Sequence, residues 1–281
     1  MFLRLQAMER PGDLVEALRL LARPGYRPLA GGTAAVGPVD AQTVGLVDLS
    51  GLDLRFSRME EDGLVLGAMT TLDEMLRLPD LLLAGGGVLG KAVERTGPPS
   101  LLARATVGGS LARPDLAPEL VTALMALDAR VLVARLTNEQ LIHDDMDVDA
   151  FLSRQKPGAL VEAMRVPVRP VLVGYERVAR TPRDLPVVAV VAAMERDGQF
   201  AHRVRIAACG LAPVPIRLTA AEDVLEGAAP VAALVEKAAE AAAAAVAPSG
   251  DLRGSAEYRQ HLAGVLTRRA VEAASARLGR M

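Results

Sequence analysis

A chain of 281 residues is long enough for about two domains, each with its own core. Its 32 Lys and Arg against 34 Asp and Glu leave a formal charge of −2, so no global basic field points to nucleic acid or an anionic membrane. Aromatic residues are 2% and tryptophan is absent, which argues against a base-stacking platform; the single cysteine, Cys209, excludes an internal disulfide or a cysteine-ligated cluster held by this chain alone.

No basic stretch followed by a long apolar run opens the sequence. No uncharged apolar run reaches the roughly 18 residues of a membrane span, so a reducing cytoplasm is the expected location. Residues 13–22 carry Leu14, Ala17, Leu18 and Leu21 on one helical face, with Asp13 and Glu16 spaced as a capping box and Pro24-Gly25 as the stop. Leu29-Ala30 leads into a first glycine doublet, and Val44 to Leu49 reads as the next strand. Between Leu54 and Ala68 two β-like stretches flank Glu61-Asp62-Gly63, a hairpin turn, and Thr71 to Glu74 is a second capping box opening a short helix. Pro98-Pro99 marks a loop before a second glycine doublet. Asp115 to Leu127 is a helix with Leu116, Leu120, Leu124 and Leu127 on one face; Val131 to Ala134 is a strand, and the acidic stretch 143–149 reads as a solvated loop.

Two prolines in Val166 to Pro170 predict a domain boundary. Beyond it, strands are expected at 171–175, 187–191 and 204–208, with Asp197-Gly198 as the turn between the last two. Helices follow at 219–226, 230–246 and from Ser255, the last with a stripe of Tyr258, Leu262, Val265, Leu266 and Ala270. Cys209 fits a small buried apolar position in a strand.

Several chemistries are poorly supplied. Gly85 to Lys91 matches the spacing of a nucleotide-triphosphate loop, but Ala92 stands where Ser or Thr must hold magnesium, so a loose or bent helix packed by small residues is the better reading. His143, His202 and His261 lie far apart with no ligand spacing, and no nucleophile elbow is present. Chemistry, if any, falls to a cofactor. The two doublets, Leu29-Ala30-Gly31-Gly32-Thr33-Ala34-Ala35 and Thr106-Val107-Gly108-Gly109-Ser110, offer backbone N–H groups an unobstructed approach to an anion and add a hydroxyl donor. Either alone is equally the pattern of an ordinary tight turn. Two together could hold one long phosphate-bearing ligand.

In this order and spacing, the helix followed by Leu-Ala-Gly-Gly-Thr, Leu46-Val-Asp-Leu49, Leu66-Gly-Ala-Met-Thr70, Thr106 to Ala112 with Asp115 and Glu119, Tyr175-Glu-Arg177 and the C-terminal Asp251 to Arg259 resemble the FAD-binding medium subunit of molybdenum hydroxylases. That family includes xanthine dehydrogenase and aerobic carbon-monoxide dehydrogenase. The resemblance implies an α+β chain. A vanillyl-alcohol-oxidase-type FAD-binding domain over 1–168, made of two αβ subdomains of about 1–53 and 54–168, precedes an antiparallel-sheet-plus-helices domain over 169–281. It further implies that the backbone from Leu29 through Ala35 and Val36, and from Thr106 through Val107, Gly108, Gly109 and Ser110, holds the FAD pyrophosphate. Asp115 joins the cofactor-binding set, Glu119 falls where the family has an acidic cofactor contact, Arg177 where many members have Lys, and Val161 near the flavin.

By the same resemblance the chain passes electrons from iron–sulfur clusters to an external acceptor. The molybdenum cofactor and the clusters would lie on a large and a small partner subunit, in a dimer of heterotrimers. The alternative is a flavin-free scaffold or assembly subunit of such a complex. Ser110 replaces a usual Asn, Ala34 a usual Ser or Asp, and Leu102-Ala-Arg-Ala105 a usual Arg-Asn-Arg-Gly, each removing a polar contact or a flexible position.

Overall fold

The computed structural model describes residues 5–34, 43–154, 158–182 and 184–276. In chain order the elements are β1 (Ala7–Glu9), α1 (Leu14–Leu21), β2 (Tyr26–Leu29), β3 (Gly45–Asp48), β4 (Ser57–Glu60), β5 (Gly63–Gly67), α2 (Leu72–Leu76), α3 (Val88–Thr96), α4 (Pro99–Leu102), α5 (Val107–Ala112) and α6 (Pro118–Ala126). Then come β6 (Arg130–Thr137), β7 (Gln140–Asp147), α7 (Val148–Ser153), β8 (Leu160–Val166), β9 (Leu172–Val178), β10 (Val188–Asp197), β11 (Phe200–Cys209), β12 (Ile216–Arg217), α8 (Thr219–Leu225), α9 (Ala232–Ala244) and α10 (Ala256–Ser275).

Three sheets result. A parallel sheet of order β1-β3-β2 packs its Val47 with Ala17, Leu18 and Leu21 of α1. The helix starts where expected: the Asp13 carboxylate accepts from Glu16 N at 2.8 Å, while the Glu16 carboxylate accepts from Gly12 N at 2.9 Å. An antiparallel sheet of order β4-β5-β8-β6-β7 carries α2 to α7, and Thr71 and Glu74 form the anticipated capping box. The third sheet, β12-β11-β10-β9, is also antiparallel.

β10 shows why that third sheet reads as an unbroken Val-Ala run. Val188, Val190, Ala192 and Met194 pack toward α8, α9 and α10, whereas Val191 and Ala193 join the core of the preceding sheet and its helix α6. A strand with both faces covered has no polar side to alternate with. On the α10 side the backbones come close at Gly174, where an added Cβ would lie 1.8 Å from Ala270 O. The C-terminal segment Asp251 to Arg259 is held by one side chain. Arg259 is buried and donates to Val187 O at 2.7 Å, Gly210 O at 2.6 Å and Asp251 Oδ1 at 2.6 Å, tying α10 to two strands.

Four sequence expectations change. The acidic stretch 143–149 is not a loop: most of it belongs to edge strand β7, whose Asp144 and Asp145 pair with Arg135 and Arg130 of β6. Cross-strand ion pairs remove the like-charge repulsion that made a solvated loop attractive. Gly85, Gly86 and Gly87 all have positive φ, forming a left-handed approach before α3 rather than helix. The helix expected from Asp115 starts at Pro118, which suits a first-turn position lacking an N–H. Finally, the second glycine doublet is not in a loop but in the first turn of α5.

Candidate functional site

A cleft of about 1180 Å³ opens where the parallel sheet meets the five-stranded sheet. Both glycine doublets line it. Leu29, which ends β2, and Ala30, Gly31, Gly32, Thr33 and Ala34 after it lie on one side; Thr106, Gly108, Gly109 and Ser110 lie on the other. Strand ends of this kind are where open αβ sheets present ligand sites. Ala35 and Val36 lie outside the described residues.

The first doublet is held by close backbone contact. A Cβ on Gly31 would lie 1.6 Å from Arg104 O, and Arg104 Nε donates to Gly31 O at 3.2 Å. Gly32 has φ +73°, which glycine adopts without strain. The N–H groups of Gly31, Gly32, Thr33 and Ala34 donate to no other described residue. Four such donors at the edge of a cleft form a ready seat for an anion.

The second doublet is built differently. Val107 N donates to Thr70 O at 2.9 Å, Gly108 N to Ala68 O at 2.9 Å, Gly109 N to Thr106 Oγ1 at 3.1 Å and Ser110 N to Thr106 O at 2.9 Å. The Ser110 hydroxyl donates to Thr106 O at 3.0 Å. Its polar groups are thus engaged inside the protein. The glycines serve approach instead: a Cβ on Gly108 would lie 2.7 Å from Ala68 Cβ, so α5 can seat against the end of β5 only without one.

Between the doublets the cleft is walled by apolar side chains, among them Leu46, Met69, Val133, Phe151, Leu160 and Val161. Among the described residues its charge comes from four arginines that the sequence did not single out, Arg27, Arg113, Arg135 and Arg154, against the Asp144 carboxylate of the acidic stretch. Arg113 pairs with Asp115 at 2.7 Å, and Arg135 with Asp144 at 2.5 Å. The hydrogen bond from Arg113 holds the Asp115 carboxyl below its ordinary range against the opposing effect of partial burial. Arg113 follows the second doublet closely in sequence, the signal that could have found it; Arg135 and Asp144 needed the strand register.

Val161 therefore lies on the cleft wall, and Asp115 reaches it only through Arg113. Val107, the first residue of α5, is buried and does not line the cleft. Glu119 and Arg177 do not line it either. Glu119, 3% exposed, accepts from Arg177 Nε at 2.7 Å and from the Tyr175 hydroxyl, joining α6 to β9. Burial, then the neighbouring Glu119 charge, raise the Tyr175 pKa and keep the phenol protonated as the donor. Cys209 nearby is buried, and that burial pushes its thiol up to about 12, so it is inert.

Residues 4–169 match the family model described as an FAD binding domain in molybdopterin dehydrogenase, and residues 174–274 match the CO dehydrogenase flavoprotein C-terminal domain. The chain is 31% identical over 277 residues to the carbon monoxide dehydrogenase medium chain of Afipia carboxidovorans, covering 95% of this chain and 96% of that one. It is 29% identical to the nicotine 6-hydroxylase medium subunit of Paenarthrobacter nicotinovorans, with the same shares covered. In structure it superposes on a chain of Hydrogenophaga pseudoflava carbon monoxide dehydrogenase with a TM-score of 0.87 at 28% identity, over 97% of this chain and 98% of that one. A chain of quinoline 2-oxidoreductase from Pseudomonas putida 86 gives a TM-score of 0.84 at 24% identity, covering 96% of each chain, a likeness of fold.

Proposed function

Because the chain belongs to the molybdopterin-dehydrogenase flavoprotein family, an oxidoreductase-subunit family, we propose that it carries FAD and relays electrons from iron–sulfur clusters to an external acceptor within a molybdenum hydroxylase complex. The observation that carries this reading is the pairing of four N–H groups that no described residue engages with a long, partly apolar cleft that both glycine doublets border. FAD requires an anion seat, room for two sugars and an apolar wall for a fused ring. These residues fit each requirement.

In this reading the N–H groups from Gly31 to Ala34 hold the pyrophosphate, with Ala35 and Val36 continuing the same stretch. Gly108, whose missing Cβ lets α5 seat against Ala68, shapes the opposite side of the cleft. The four arginines raise the local positive potential and favour a diphosphate over a neutral ligand. Val161, Val133 and Met69 exclude water from the ring-binding part. Bound FAD would couple one-electron carriers to a two-electron acceptor, and the protein's part is to orient and tune it. With one cysteine, the chain leaves clusters to a small partner subunit and the molybdenum cofactor to a large one, in a dimer of heterotrimers. Among the described residues no helix is long and apolar enough to cross a membrane.

The test is the visible spectrum of the purified chain or complex, with FAD quantified after acid release. About one FAD per chain is expected. A colourless chain in an otherwise complete and active complex would favour the scaffold role instead.

A further inference from the structure

Arg177 stands 14% exposed between the two parts of the chain and uses three nitrogens in three directions. Nε donates to the buried Glu119 carboxylate at 2.7 Å, Nη2 to Asp184 O at 2.8 Å and Nη1 to Pro182 O at 3.3 Å. The Pro182 carbonyl is shared, because Arg95 Nη1 of α3 also donates to it, at 2.8 Å. The chain neighbours of these groups then matter. Leu185, directly after Asp184, lines the cleft, and so does Thr96, directly after Arg95.

A planar fork can grip a carboxylate with one edge and two carbonyls with the rest; an ammonium has one nitrogen and cannot span all three. With Glu119 fixed in α6 and further held by Tyr175, the fork has a rigid anchor. We infer that Arg177 is a positioning residue for the cleft: it transmits the fixed place of Glu119 to the carbonyls of Pro182 and Asp184, and thereby sets Leu185 in the cleft wall. The inference rests on reading the cleft as the FAD site. It assigns Glu119 and Arg177 an effect on the cofactor without contact.

Full-length protein is titrated with FAD by flavin fluorescence, and amide exchange is followed without FAD. Arg177→Lys keeps a cation beside Glu119 but loses the fork. It is expected to weaken FAD about tenfold, the scale of one charge-assisted hydrogen bond, and to speed exchange at Asp184 N and Val187 N, which bond Thr181 O and Val178 O. Leu185→Ala should weaken FAD similarly, and the double variant should bind no more weakly than Leu185→Ala, because one change acts through the other. Arg95→Ala, which removes the second donor to Pro182 O, should act in the same direction and more mildly, and serves if Arg177→Lys does not fold. Unchanged exchange at Asp184 and Val187 in Arg177→Lys, or two substitutions whose effects multiply independently, would overturn the inference. Failure of the unsubstituted chain to take up FAD would instead overturn the cofactor reading, and the exchange measurement distinguishes the two.

Discussion

Gly31-Gly32-Thr33 and Gly108-Gly109-Ser110 share the pattern of two glycines and a hydroxyl, and both border one cleft, yet their backbones are used in opposite ways. At the first doublet the N–H groups have no described partner and the chain is pressed against the Arg104 carbonyl. At the second every N–H from Val107 to Ser110 is already bonded, and the glycines exist so that a short helix can sit on Ala68. A repeated motif thus marks one donor surface and one shape surface. Ser110, the hydroxyl residue of the second doublet, likewise turns inward and donates to Thr106 O.

Substitutions can break this contrast, beginning with the largest effect. Gly31→Ala would place a methyl 1.6 Å from Arg104 O and force the first doublet out of place. FAD affinity should fall about a hundredfold, near 3 kcal/mol, in a fluorescence titration. Gly108→Ala, with its methyl 2.7 Å from Ala68 Cβ, should instead act on stability. A loss of about 1–3 kcal/mol is expected, read as a melting temperature lower by roughly 2–4 °C per kcal/mol, with the FAD effect secondary. If Gly108→Ala reduced affinity without touching stability, the division of labour would be wrong.

Smaller changes sharpen it. Thr106→Ala removes the acceptor for Gly109 N at the start of α5 and should cost about 1 kcal/mol of stability while leaving FAD affinity within a factor of about three; Thr106→Ser should restore the stability. The mildest test is acid. Asp115, held below its ordinary range first by its hydrogen bond from Arg113, favours the folded state above an ordinary carboxylate pKa of about 3.9. That contribution is lost as pH falls through the lower folded value. Because both side chains are about half exposed, Asp115→Asn should flatten this acid limb by less than about 1 kcal/mol in urea titrations at stepped pH.

Much of this was legible in the sequence, for physical reasons. Caps and turns are local, so the Asp13 and Thr71 helix starts and the hairpins at Glu61-Asp62-Gly63 and Asp197-Gly198 lie where short-range chemistry puts them. Both doublets also reached the cleft. What could not be read was anything decided by a distant partner. The aspartates at 144 and 145 look solvated until Arg135 and Arg130 face them across a strand pair. Glu119 does stand in the first turn of α6, but its partners, Tyr175 and Arg177, come from β9 more than fifty residues later. The second doublet looks like a loop because the acceptors of Val107 N and Gly108 N, Thr70 O and Ala68 O, lie about forty residues earlier.

Amide hydrogen exchange of the full chain, with and without FAD, tests the central contrast most directly. The N–H groups of Gly31, Gly32, Thr33 and Ala34 should exchange fast in the free protein and become protected when FAD binds, whereas those of Val107 to Ser110 should be slow in both states. Protection gained at Val107 to Ser110 with none at Gly31 to Ala34 would contradict the account.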